Sequence, residues 1–157
     1  MSRIGLISDT HGLLRPEATA FLRKCDRIVH AGDIGRAEIL SELASLAPVT
    51  AVRGNNDEGP WADELPETAI LRIGKVRIYV VHAIADLTID PAANGFRVVV
   101  SGHSHRPSIE KRDGVLYVNP GSAGPRRFKL PIAVAELKVA GESVRAKVVA
   151  LDVTRTR

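Results

Sequence analysis

Short apolar runs alternate with stretches of helical period along the first two-thirds of the chain. Residues 3–8 form an apolar run that predicts a strand. Residues 16–24 follow with helical spacing, and Pro16 suits a first helical turn, where its missing N–H has no partner to lose. A second strand is predicted at 27–30. Residues 37–46 set Ala37, Leu40, Leu43 and Ala44 on one helical face, and this helix ends before Pro48. Residues 49–52 predict a third strand.

The pattern then changes. Residues 55–67 read as a polar loop holding Pro60, Trp61 and Pro66. Residues 68–73 and 76–81 flank Gly74-Lys75 as a hairpin. A helix is predicted at 87–94, around Pro91, and a buried strand at 98–101. The last third pairs 108–111 with 115–118 around Asp113-Gly114, and 132–139 with 143–151 around Gly141. This is βαβαβ followed by hairpins, an α/β fold with enough strands for two sheets. No linker or repeat interrupts it, so residues 1–157 are expected to form a single domain.

Composition narrows the class. Apolar residues at 45% and charged residues at 25% are those of an ordinary globular protein, which excludes wholesale disorder. No apolar run approaches the roughly eighteen residues of a membrane helix, and the first ten residues are too polar for a signal peptide. The lone Cys25 allows no intrachain disulfide, so a cytoplasmic protein that does not engage membranes is expected. The net charge of +4 comes from 16 Arg and 6 Lys scattered among 18 acidic residues. That favours small anions slightly. With few aromatic residues and no basic block, nucleic acid is an unlikely partner.

The chemistry sits where apolar runs stop. The first run leads into Asp9-Thr10-His11, the second into Gly32-Asp33 and the third into Gly54-Asn55-Asn56-Asp57. Two later runs lead into His82 and into Gly102-His103-Ser104-His105. Ligands of α/β sheets sit outside the carboxyl ends of strands, so these residues are expected to share one cleft. Asp9, His11, Asp33, Asn55, His82, His103 and His105 are more donors than one ion needs. They suit two divalent ions about 3.5–4 Å apart. Carboxylate, amide and imidazole without thiolate argue against a structural zinc site and are compatible with Mn, Fe, Ni or Zn. No phosphate-binding Gly-rich loop and no dinucleotide fingerprint is present.

The order Asp-x-His, Gly-Asp, Gly-Asn-x-Asp, His, Gly-His-x-His resembles that of the calcineurin-like metallophosphoesterase superfamily, and within it the small single-domain phosphodiesterases of the YfcE type. Asn119-Pro120-Gly121-Ser122 fits the same subgroup. The resemblance implies a four-layer α/β/β/α sandwich of two mixed sheets flanked by helices. It implies that Asp9, His11, Asp33 and His105 hold one metal, and that Asp33 bridges to a second held by Asn55, His82 and His103. Manganese is the first expectation for both. A metal-bridging water or hydroxide would attack the phosphorus of a small phosphodiester in line.

The same motifs carry departures. Asn56 stands where relatives have histidine or cysteine, and Ala83 follows His82 where they usually have glycine. Asn56 and Asp57 are expected as the catalytic residues, Asp57 acting as an acceptor behind the ligands. Asparagine donates a hydrogen bond but no proton near neutral pH, so esters with good leaving groups should react best. Arg126 and Arg127 are expected to bind substrate phosphate. His30 reads as structural or as a partner behind the ligands. Trp61 and Phe128 read as lining the cleft or a subunit contact, and Cys25 as inert. A homo-oligomer is compatible with the sequence. The alternative function is a non-catalytic scaffold or interaction protein on the same fold, resembling the retromer subunit Vps29. The full donor set argues against it, and Asn56 keeps it in play.

Overall fold

In the computed structural model, which describes residues 1–153, the βαβαβ pattern becomes half of a first sheet. Strand β1 (Ser2–Ile7) is followed by helix α1 (Pro16–Leu22), β2 (Arg27–His30), α2 (Ala37–Ala44) and β3 (Val49–Ala51). The three strands run parallel, as helical crossovers require. β9 (Ala133–Ala140) and β10 (Ser143–Ala150) return antiparallel on the other side, giving the order β10-β9-β1-β2-β3. The second sheet has the order β4-β5-β6-β8-β7. It is built from β4 (Thr68–Ile73), β5 (Val76–Val81), β6 (Val98–Val100), β7 (Ser108–Arg112) and β8 (Val115–Asn119).

Side-chain alternation decides what each face covers. Ile4 and Leu6 of β1 and Ile78 and Val80 of β5 point into the space between the sheets. There they meet Val29, Val98, Val100, Val118 and Leu137, all buried. Fully burying one such side chain contributes about 1.5–3 kcal/mol. On the outer face of the first sheet, Ile7, Ile28 and Val134 pack under Ala18 and Leu22 of α1 and Ile39 and Leu43 of α2. On the outer face of the second, Tyr79, Val81 and Val99 pack under Phe96, Leu87 and Ile89. The architecture is thus two mixed sheets flanked by helices, as expected.

The second outer layer is thinner than the sequence suggested. The helix expected at 87–94 does not form. A 3-10 turn spans Ile84–Asp86, and then a single turn closes when Phe96 N–H donates to Pro91 O. Asp90 precedes Pro91, a position that disfavours helix, and its Oδ1 accepts from Ala93 N–H instead. Conversely, the loop expected over 55–67 contains a one-turn helix, α3 (Pro60–Asp63), with Pro60 at its start. Trp61 packs from that turn against the cluster beneath α1 and α2. Among the described residues no helix is long and apolar enough to cross a membrane. Residues 154–157 of the expected single domain lie outside the described residues.

Candidate metal centre

The loops that follow β1, β2, β3, β5 and β6 are stitched to one another. Asp9 N–H donates to Gly32 O, His11 N–H to Asp33 O and Gly102 N–H to His82 O, at 2.8–3.0 Å. These bonds bring two triads together, Asp9 with His11 and His105, and Asp33 with His82 and His103. Within each triad the donor atoms lie within 4.8 Å of one another. Asp9 Oδ1 lies 3.5 Å from His105 Nε2 and 3.7 Å from His11 Nε2. Asp33 Oδ2 lies 3.3 Å from His82 Nε2 and 3.7 Å from His11 Nε2. Donors bound to a divalent ion at about 2.0–2.2 Å stand roughly 3–3.6 Å apart, so the spacing fits such an ion.

Two atoms at the centre point to the same conclusion. Asp9 Oδ1 and His82 Nε2 are buried and have no hydrogen-bond partner. A buried polar atom left unpaired costs about 1–3 kcal/mol, which a bound cation would offset. The remaining atoms of the same groups are all engaged. Asp9 Oδ2 accepts from Ser8 Oγ at 2.7 Å and from His103 N–H at 3.0 Å. His82 Nδ1 lies 2.7 Å from Ala31 O and donates to it, which leaves Nε2 as the bare lone pair. The residues present therefore fit a divalent metal.

Close approach of the backbone makes this packing feasible. A Cβ on Gly54 would lie 2.1 Å from Asp33 N, and one on Gly102 would lie 2.0 Å from Ser8 Oγ. Five candidate ligands, Asp9, His11, Asp33, His103 and His105, have φ between 46° and 73°. Left-handed backbone of this kind costs a non-glycine residue about 1 kcal/mol or more, and it concentrates at functional sites.

Residues beyond the triads divide by what they touch. Asn56 N–H donates to Asp33 Oδ1 at 2.9 Å and its Nδ2 to Oδ2 at 3.1 Å. Asn55 lines the cavity beside His82 and His103. Asp57, expected as an acceptor behind the ligands, accepts from backbone. Its Oδ1 accepts from Ile34 and Gly35 N–H and its Oδ2 from Gly54 N–H, so both oxygens clamp backbone. Arg126 donates to Leu130 O within its own loop. Arg127 stands close enough for its charge to act on His105. Phe128 is 87% exposed and does not line the cleft. Cys25 is buried, and burial pushes its thiol up to about 11, in keeping with an inert role. Ser8, Asn119 and Ser122 support the site, although the sequence shows Asn119 and Ser122 only as a motif and gives no sign of Ser8. Ser122 Oγ donates to Asp9 O, and Asn119 Nδ2 to Gly102 O.

His30 is fully buried and behaves as a strut. Thr10 Oγ1 donates to Ile34 O, so His30 Nε2 must donate to Thr10 Oγ1 at 3.0 Å. His30 Nδ1 accepts from Gly32 N–H. Only the neutral ring satisfies both bonds, and burial, then the neighbouring His82, lower its pKa to about 3. At Asp33 burial works the other way, but His82 and the Asn56 N–H outweigh it and hold the carboxyl well below its usual range. At His82 burial opposes the charged form, and the Asp33 carboxylate outweighs it and raises the pKa.

The signs give a pH profile for the metal-free protein. His82 contributes stability as pH falls through its raised pKa, and that gain is complete near pH 6.5. Below 6.5 the unfolded chain protonates His30 and the folded one does not, so stability falls by up to about 1.4 kcal/mol per pH unit. The Asp33 contribution is lost only below about pH 4. Burial lowers the His105 pKa as well, so thermal melts from pH 6.5 to 4.5 should show a steady fall that His30→Gln makes shallower without abolishing. Equal slopes in both proteins would refute this role for His30.

Comparison with known proteins bears on these observations. The model of the calcineurin-like phosphoesterase superfamily domain matches residues 2–142. A probable metallophosphoesterase of Methanothermobacter thermautotrophicus is 35% identical over 159 residues, covering 93% of this chain and 91% of its own. Among solved structures, a novel archaeal phosphodiesterase superposes with a TM-score of 0.76 at 24% identity, over 94% of this chain and 99% of that one. Vps29 of Entamoeba histolytica complexed with zinc superposes with a TM-score of 0.73 at 21% identity, over 96% and 99%. At those identities the two structures share the fold and no more. The match over residues 2–142 and the identity to the Methanothermobacter protein carry further, and the chain belongs to the calcineurin-like phosphoesterase superfamily.

Proposed function

We propose that this single-domain chain is a binuclear metal-dependent phosphodiesterase. The observation that carries the reading is the position of Asp33. Its Oδ2 lies within 3.7 Å of an imidazole nitrogen from each triad, His11 on one side and His82 on the other. An oxygen there can serve both halves of a paired site. Asp9, His11 and His105 would hold one ion and His82, His103 and Asn55 the other, with Asp33 shared. Two such ions, manganese first and nickel, zinc or iron next, would supply Lewis acidity and an activated water for attack on phosphorus.

The chain's own residues set the rest. Asp9 and Asp33 leave such a site short of full neutralisation, which suits a phosphodiester monoanion. Arg127, whose charge reaches His105, would hold a phosphate oxygen, whereas Arg126 is tied to its loop. Asn56 keeps Asp33 oriented and offers substrate only an amide, so protonation of the leaving group is weak. A cytoplasmic setting suits the single buried thiol.

The direct test is hydrolysis of bis-p-nitrophenyl phosphate by chelator-stripped protein refilled separately with Mn, Ni, Zn or Mg. Turnover that requires a transition metal and exceeds that of the monoester supports the reading. Metal binding with no turnover would favour a scaffold of the Vps29 kind. Asn56→His is expected to raise kcat on alkyl diesters by up to about a hundredfold while changing aryl esters little. An equal change on both would place leaving-group protonation elsewhere.

A further inference from the structure

Two cavities open on either side of His103. The larger, about 590 Å³, holds Asn55, His82 and Arg53 in its walls. The smaller, about 240 Å³, runs back between the loop after β6 and strands β7 and β8. They share Ala83, Ala85 and His103 in their walls, so the two cavities adjoin at these residues. A phosphate held next to His103 would have the larger cavity, with Asn55 and His82, on one side and the smaller on the other.

The smaller cavity has its own chemistry. The Arg112 guanidinium lies 4.1 Å from the Tyr117 ring centroid, and both residues line the cavity. Glu110 Oε1 lies 3.6 Å from Arg112 Nη2, so the charge of that arginine is already matched. Ser104 Oγ accepts from Arg106 N–H and Asn119 Nδ2, which leaves its own O–H free to donate. Ser101, Ser108 and the Tyr117 phenol add further hydroxyls to the walls. A stacked planar cation, four hydroxyl-bearing residues and no unmatched charge suit a neutral, flat, hydrogen-bonding group better than a second phosphate. A volume of about 240 Å³ lies below the roughly 300–1,000 Å³ of whole-ligand sites and suits one substituent.

We propose that the smaller cavity is a substituent site that seats a nucleobase-like group, making the substrate a nucleoside phosphodiester whose other arm fills the larger cavity. This rests on the phosphodiesterase reading. It also gives a structural reason for preferring diesters, because a monoester fills one arm only.

The test compares thymidine 5′-(p-nitrophenyl phosphate) with methyl p-nitrophenyl phosphate, which share a leaving group and differ in the second arm. The wild-type protein is expected to favour the thymidine ester in kcat/KM by about tenfold. Arg112→Ala should cut that ratio about threefold to tenfold, and Ser108→Trp, which fills the cavity, should do the same. Ligand-observed NMR should show thymidine itself binding to the metal-free wild-type protein and not to Ser108→Trp. Equal kcat/KM for the two esters, or a ratio untouched by both variants, would overturn the substituent site. Turnover of neither ester with any metal would overturn the phosphodiesterase reading instead. In that event the NMR comparison decides the cavity alone, and absence of thymidine binding would overturn it.

Discussion

Asp33→Ala is expected to lower kcat/KM on bis-p-nitrophenyl phosphate by at least about a thousandfold while leaving the fold in place. The size follows from position. Asp33 Oδ2 lies 3.3 and 3.7 Å from imidazole nitrogens of the two triads, a closer approach across the pair than the 4.0 Å between Asp9 Oδ1 and His82 Nε2. Losing it should drop metal content from two ions per chain to one or fewer. Losing a single group that stabilises developing charge already costs about 10²–10³, and here the pairing of the site goes with it. The stability cost should be small. Asn56, which donates twice to Asp33, is exposed and can turn to water. His82 also loses the carboxylate that favours its charged form, so its neutral ring needs no counter-charge. The measurements are kinetics, metal content per chain and a thermal melt of the stripped protein. Wild-type turnover restored by added metal would sink the two-ion reading.

The parts of the fold that the sequence displayed were those fixed by period. The first three strands, both helices between them and the three hairpin pairs follow from apolar spacing and turn residues, and each stands within about two residues of expectation. The outer layer of the second sheet was harder. Leu87, Ile89 and Phe96 are apolar because they cover β5 and β6, not because they share a helical face, and Pro91 after Asp90 stops any helix. The short helix at Pro60–Asp63 had no period to show, since one turn contains none.

The candidate site was legible as residue types and not as geometry. Donors at five strand ends announce a cleft, because parallel strands deliver their carboxyl ends to one side of a sheet. That five of the donors take left-handed backbone could not be read, since Asp and His give little sign of it outside glycine. Nor could the division of labour between neighbours. Asn56 and Asp57 stand side by side in one motif, yet one touches Asp33 and the other holds backbone three residues and twenty-odd residues away. Asn119 and Ser122 show in the sequence as a motif that does not say what they hold, and Ser8 shows nothing, since a hydroxyl or amide that orients a ligand resembles any turn residue.

Asp57→Ala is the variant that separates these jobs. Its carboxylate is 1% exposed and accepts from three backbone N–H groups on two loops. Hydrogen bonds to a charged group contribute about 1.5–3 kcal/mol each and overlap when shared, so the loss should be about 3–5 kcal/mol. For a chain of this size that lowers Tm by about 10 °C. Asp57→Asn keeps one acceptor oxygen but turns an amide N–H toward a backbone N–H, so it should recover only part of the loss. Activity should fall about tenfold to a hundredfold in the Asn variant, because Asp33 and Asn55 lose their relative register. Saturating metal should restore much of it. A group that transfers protons would behave otherwise: its Asn variant would keep the wild-type Tm, lose one limb of the pH–rate profile, and gain nothing from added metal. That second pattern would return Asp57 to the catalytic residues. A lowered Tm, with an unchanged pH profile and rescue by metal, would fix it as the clamp that holds the Asp33 loop against the Gly54 turn.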